Sequence, residues 1–172
     1  PLWVFSLGLL YKCTPVLGHV YIPTQDQRFH GFYMGNSGLA GPSGAFLDGE
    51  PIYTSSDAAA GSQFFSLCAR SLKVLQKPFP CKIRMLGVAT YNLLMGAAGI
   101  SLGAVEATPK IWDIAAVWGI SQAAGGVWTS LEETDIFPLE VGKDYGSRPF
   151  PTLLSARLEL DQQFRPLVEV II

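Results

Sequence analysis

Lys110-Ile111-Trp112-Asp113-Ile114-Ala115-Ala116-Val117-Trp118-Gly119-Ile120-Ser121-Gln122-Ala123-Ala124-Gly125-Gly126 places one carboxylate at the head of a run that carries no other charge after Lys110. The eleven residues after Asp113 are small or apolar except for Ser121 and Gln122, and a Gly-Gly pair closes the run. This pattern predicts an N-cap at Asp113, a helix buried on every side and a glycine C-cap. The spacing leaves two readings of Asp113 open. It either accepts hydrogen bonds from the first free amides of the helix or serves as a metal ligand.

Outward from this segment, the chain is apolar. Of its 172 residues, 49% are hydrophobic and only 15% charged, against about 25% charged in ordinary soluble domains. Such a chain has apolar faces that something must cover, and a homodimer is one way to cover them. No run reaches the roughly 20 apolar residues of a membrane span. Leu2–Tyr11 stops at Lys12, and Tyr91–Val105 is diluted by Gly and Ser before Glu106. No basic residue precedes the first apolar run, so it does not read as a signal peptide. The chain opens at Pro1 as if mid-strand, which carries the expectation that residues lie upstream. A net charge of −2 with scattered Lys and Arg gives no footprint for nucleic acid. Three cysteines without a CxxC pair argue against a disulfide framework or zinc site and for reduced thiols in the cytoplasm.

Residues 1–62 read as strand and turn: Trp3–Tyr11, Val16–Ile22 and Arg28–Met34 as antiparallel strands, then a glycine-rich surface turn over Gly35–Gly44. That turn lacks the Lys-Ser or Lys-Thr of a phosphate loop. A further hairpin is predicted at Asp48-Gly49-Glu50-Pro51. The small polar stretch Ser55–Ser62 marks a boundary. Residues 63–172 then alternate strand and helix: strands at Gln63–Ala69, Lys82–Leu86, Ile100–Glu106, Val127–Thr129 and Phe150–Leu154. Helical segments fall at Arg70–Gln76, Val88–Ala98, the Asp113 helix and the start of Ser155–Val170. The fold class is therefore α/β, an α+β layered arrangement with an antiparallel sheet followed by a smaller mixed-sheet unit.

His19 and His30 read as strand side chains, and no Ser or Cys stands in a nucleophile motif, which excludes a hydrolase triad. Glu132, Glu133 and Asp135 lack calcium-loop spacing and read as a solvated loop. Glu106 and Asp113 each end or begin an element, at the edge where α/β layers bind ligands. A carboxylate at a positive helix end stays ionised and can hold a hard cation, while the helix end itself favours phosphate.

Trp112-Asp113-Ile114-Ala115-Ala116 with Gly125-Gly126 resembles the C-terminal signature of the inositol monophosphatase family, W-D-x-A-A-G followed by E-A-G-G. Arg84-Met85-Leu86-Gly87-Val88-Ala89 is similar to the family's R-x-x-G-x-A segment. Gly44-Ala45-Phe46-Leu47-Asp48-Gly49-Glu50-Pro51-Ile52 resembles its G-A-F-x-N-G-x-x-I hairpin, and Glu106 falls seven residues before Asp113 as the family pattern requires. The resemblance implies layered sheets and helices and a magnesium-dependent phosphomonoesterase acting on a small sugar or inositol phosphate, in which metal ions clamp the phosphate and activate water. It implies Asp113 as a metal ligand, Glu106 as a contact to substrate hydroxyls, and backbone near Gly87 and Ala89 on the leaving-group side. Val117 and Ala123 replace a signature glycine and glutamate, and Gly119 interrupts the helix at a cost of about 1 kcal/mol relative to alanine. The family's D-P-I-D-G-T motif and its upstream glutamate motif have no match here, so these residues by themselves are expected to be inactive. Two alternatives stay open: activity on nucleotide 3′(2′),5′-bisphosphates or fructose 1,6-bisphosphate, or a shortened, non-catalytic protein that binds a partner through its apolar surface.

Overall fold

The computed structural model describes residues 1–75 and 78–168; the end of the predicted Arg70–Gln76 segment and the last residues of Ser155–Val170 lie outside the described residues. The first sheet is wholly antiparallel, in the order β1 (Phe5–Tyr11), β2 (Thr14–Ile22), β3 (Gln27–Phe32), β4 (Gly44–Leu47) and β5 (Glu50–Pro51). The turn between β4 and β5 is Asp48-Gly49 alone, both at positive φ, and Glu50 and Pro51 pair back onto β4 instead of extending the turn. After the crossover of residues 52–63 come β6 (Phe64–Leu67), a 3-10 segment (Ala69–Val74), β7 (Lys82–Arg84), α1 (Ala89–Ala97), β8 (Gly103–Glu106) and α2 (Ile111–Ala123). They are followed by β9 (Val127–Ser130), β10 (Thr152–Ser155) and α3 (Leu158–Phe164). The second sheet has the order β7-β6-β8-β10-β9 and is mixed, with β6 parallel to both of its neighbours and β10 antiparallel to both of its own.

The layers stack as sheet, helix pair, sheet and helix. α1 and α2 lie between the sheets in a core that includes Val20, Phe29, Leu94, Ile114, Ile120 and Leu154. A second core, on the other side of the mixed sheet, joins Phe65, Val105, Leu153, Leu160 and Phe164 beneath α3. Alternation along the shared strands divides them cleanly: Ala104 and Leu154 face the first core, Val105 and Leu153 the second. The chain thus forms an α/β layered fold.

α2 approaches the first sheet at backbone distance, because three glycines stand in register across three strands, Gly8 opposite Gly18 and Gly18 opposite Gly31. A Cβ on Gly18 would stand 2.1 Å from the carbonyl oxygen of Ala116, and one on Gly31 would stand 3.0 Å from the Cα of Ile120. The row of missing side chains is the groove in which the helix lies. Trp112, which stands before the expected cap, falls in the first turn of α2 and is 57% exposed.

The far end of α2 closes in a Schellman arrangement. The amide of Gly125, at φ +91°, donates to Gln122 O at 3.1 Å, and that of Gly126 donates to Ser121 O at 2.8 Å. The carbonyl of Ala124 accepts from Thr54 N at 3.0 Å. The crossover is therefore fastened to the helix end.

Candidate active site

The N-terminal end of α2 begins differently from the sequence expectation. Lys110 is the N-cap, and Asp113 sits three positions on, at N3. Its Oδ2 reaches back to accept the Lys110 amide at 2.7 Å. The spacing misled because either position satisfies one free amide of a helix start, and Thr108-Pro109-Lys110 carries no residue that marks the cap unambiguously. Asp113 thus stabilises the start of its helix with one oxygen, and Oδ1 makes no side-chain hydrogen bond among the described residues. α1 is tied to the same turn by Thr90, whose hydroxyl donates to the Asp113 carbonyl at 3.0 Å.

Glu106, the last residue of β8, is 1% exposed. Burial raises its carboxyl above the ordinary carboxylate range. The neighbouring Asp113 charge adds a smaller push the same way, and hydrogen bonding with Cys68 and Asn92 pulls it partly back. Asn92 holds it in place, donating from Nδ2 to Glu106 Oε1 at 2.7 Å while its own Oδ1 accepts the Leu86 amide at 3.2 Å. One side chain thereby fixes both the carboxyl at the end of β8 and the loop that leads into α1.

Gly87, at φ +88°, lies in that loop, a backbone conformation that a side chain would strain. Ala89 is the first residue of α1, whose N-cap, Val88, provides no side-chain hydrogen bond. The free amides of this first turn therefore stay available to a ligand. The four residues drawn from the sequence, Gly87, Ala89, Glu106 and Asp113, line one cavity of about 480 Å³, together with Cys68, Arg70, Thr108 and Pro109. Two helices begin at its wall, which favours an anion there, and two carboxyl groups stand within it.

Asn92, Ser71, Cys68 and Arg70 are the residues that sequence reasoning missed. Asn92 left a signal in the sequence, since an asparagine inside an otherwise apolar helix needs a buried partner. Ser71 is fully buried; its hydroxyl accepts the Ala107 amide at 2.9 Å and meets Cys68 Sγ at 3.1 Å, fastening the 3-10 segment to the end of β8. Nothing local announced that contact. Elsewhere, His30 stacks on Phe46 with ring centroids 4.9 Å apart, and Glu132 pairs with Arg148 at 2.6 Å. No group of three or more His, Cys, Asp or Glu gathers as a metal cluster among the described residues, and no helix among them is long and apolar enough to cross a membrane.

Comparison with known proteins identifies the family. The family model described as "Inositol monophosphatase family" matches residues 1–161. The fructose-1,6-bisphosphatase/inositol-1-monophosphatase of Aquifex aeolicus is 31% identical over 144 residues, covering 77% of this chain and 52% of that protein. The inositol-1-monophosphatase ImpA of Mycolicibacterium smegmatis is 30% identical over 145 residues, covering 76% of this chain and 50% of that protein. Among solved structures, the extragenic suppressor protein suhB of Bartonella henselae superposes with a TM-score of 0.73 at 23% identity, over 95% of this chain and 63% of that one, a likeness of fold. The chain spans about half the length of the curated relatives it matches. With the signature at Trp112-Asp113, the layered sheets and a family match over most of its residues, the chain belongs to the inositol monophosphatase family.

Proposed function

We propose that the cavity is the substrate side of a magnesium-dependent phosphomonoesterase, which hydrolyses the phosphate ester of a small sugar or inositol in the cytoplasm. The observation that carries this reading is convergence. Four residues from the β7–α1 loop, α1, β8 and α2 meet at one cavity, with a buried carboxyl, a half-free carboxylate and the open amides of a helix start.

The donors fit a hard cation in kind, since Asp113 offers a carboxylate oxygen with no side-chain hydrogen bond among the described residues. They do not complete a site in number, because no second carboxylate free of protein partners stands beside it among the described residues. When bound, magnesium supplies charge neutralisation at the phosphoryl oxygens and lowers the cost of deprotonating the attacking water. Asp113 would hold it. The chain's own groups do the positioning. The amides at Gly87 and Ala89 line the leaving-group side, and the Glu106 carboxyl, held by Asn92, engages a substrate hydroxyl. The oxygen of a water bonds to phosphorus as the ester P–O bond breaks, and the alcohol leaves carrying a proton that originates from that water, giving inorganic phosphate.

Two measurements test this on the chain itself. Titration with magnesium by calorimetry should give weak binding in the millimolar range that Asp113→Asn removes; tight binding that survives the substitution would overturn the assignment of Asp113. In the presence of magnesium, inositol 1-phosphate should shift the amide resonances of Gly87 and Ala89, and unmoved amides would overturn the substrate side.

A further inference from the structure

We propose that a second cavity, separate from the one at Glu106 and Asp113, binds a small alkylated ammonium ion. It has a volume of about 160 Å³ and shares no lining residue with the first. Three elements build it. Trp118 and Gln122, four positions apart, come from one face of α2. Trp128 and Ser130, two positions apart, come from one face of β9, the edge strand of the mixed sheet. Asp135 and Phe137 close the cavity from the loop after β9.

Charge and ring content set the ligand. The aromatic side chains of Trp118, Trp128 and Phe137 share the lining with a single charged group, the Asp135 carboxylate, and no Lys or Arg stands among them. Asp135 is exposed and joins no ion pair; the carboxylates that do, among the described residues, are Asp26, Glu132, Glu140 and Glu159. Aromatic rings and an unpaired carboxylate both attract a cation. The loop that carries Asp135 is held on both sides. Ser130 Oγ accepts the Glu132 amide at 3.2 Å, Ile136 is buried, and Phe137 packs on Trp118 with ring centroids 5.3 Å apart. Gln122 adds an acceptor, because its Nε2 donates to Gly126 O at 3.5 Å while its amide oxygen makes no hydrogen bond among the described residues. A primary ammonium brings three strongly hydrated N–H donors that rings satisfy poorly. A methylated ammonium carries its charge on a C–H surface that rings can cover. An engineered cavity of about 150 Å³ holds benzene, so this volume suits a cation of that size, such as the trimethylammonium head of choline.

The test titrates the chain with choline and with its uncharged carbon analogue, 3,3-dimethyl-1-butanol, at constant ionic strength, following the indole N–H resonances of its four tryptophans by NMR. Choline is expected to shift Trp118 and Trp128 saturably in the millimolar range and to leave Trp3 and Trp112 in place, with the alcohol binding about tenfold more weakly. Trp112 adjoins Asp113 and so reports on the other cavity. Asp135→Asn, at an exposed position and checked for folding by thermal melt, should weaken choline about threefold and leave the alcohol unchanged. Equal binding of choline and the alcohol would make the cavity an apolar one without preference for a cation and overturn the proposal. Shifts at Trp112 as large as those at Trp118 and Trp128, or no saturation at these two, would overturn it as well. Unchanged choline affinity in Asp135→Asn would remove the carboxylate from the site, and the proposal with it.

Discussion

The two sheets of this chain are covered very differently. In the mixed sheet every residue of β8 and β10 is buried, because α1 and α2 lie on one face and α3 on the other. In the antiparallel sheet one face is closed by α2, while the opposite face of its edge strand presents Phe5, Leu7, Leu9 and Tyr11 to solvent. Alternation is equally regular in both. What differs is whether a layer stands on each side. The open face of β1 thus carries a row of exposed apolar side chains, while others such as Tyr53, Met85, Ile100 and Val141 are scattered singly elsewhere.

The closed face can be broken at a single point. Gly18→Ala drives a methyl group into the backbone of α2 at Ala116, and should cost about 3 kcal/mol or more, read as a lowered urea midpoint. If the midpoint is unchanged, the helix does not lie in the glycine groove.

The next largest effect lies at the cavity and depends on pH. Because the folded state raises the Glu106 pKa, its protonated form is the one folding favours. The associated stability is fully present below the unfolded value of about 4.3 and is lost as pH rises through the folded value. Glu106→Gln removes that loss. Urea midpoints taken across the acid range should show the variant gaining on the wild type as pH rises, by up to about 1.4 kcal/mol per pH unit between the two values. A constant gap between the two proteins would contradict the burial argument.

A smaller and opposite effect belongs to Gly119. A Cβ there meets Gly18 N and Leu17 C at 3.9 Å, ordinary contact distance, so Gly119→Ala should stabilise the helix by about 1 kcal/mol. A rise in melting temperature checks it, and a fall would show that α2 lies closer to β2 than described. The smallest change is expected on the open face. Leu9→Ser should alter stability by no more than about 0.5 kcal/mol, measured in dilute solution. A loss of core magnitude that grows with protein concentration would show that a second copy covers this face.

Much of the fold was legible because it is local. Strand alternation, the Asp-Gly turn and the glycine-ended helix each announce themselves over a few residues, and their places at the ends of elements singled out Glu106 and Asp113. The features that were not legible depend on residues distant in sequence. The alignment of Gly8, Gly18 and Gly31 exists only once the register is set, and it also accounts for the small residues Ala115 and Ala116 along α2. Asn92 is tied to Glu106 across 14 positions and Ser71 to Ala107 across 36.

The fastening of Thr54 to the end of α2 has a mechanical consequence. A helix of 13 residues is a rod of roughly 20 Å, and this one carries Asp113 in its first turn and ends where Thr54 of the crossover is fastened to it. Because the rod lies against the first sheet and the rest of the cavity lining comes from the second unit, a shift between the sheets would change the distance from Asp113 to Glu106.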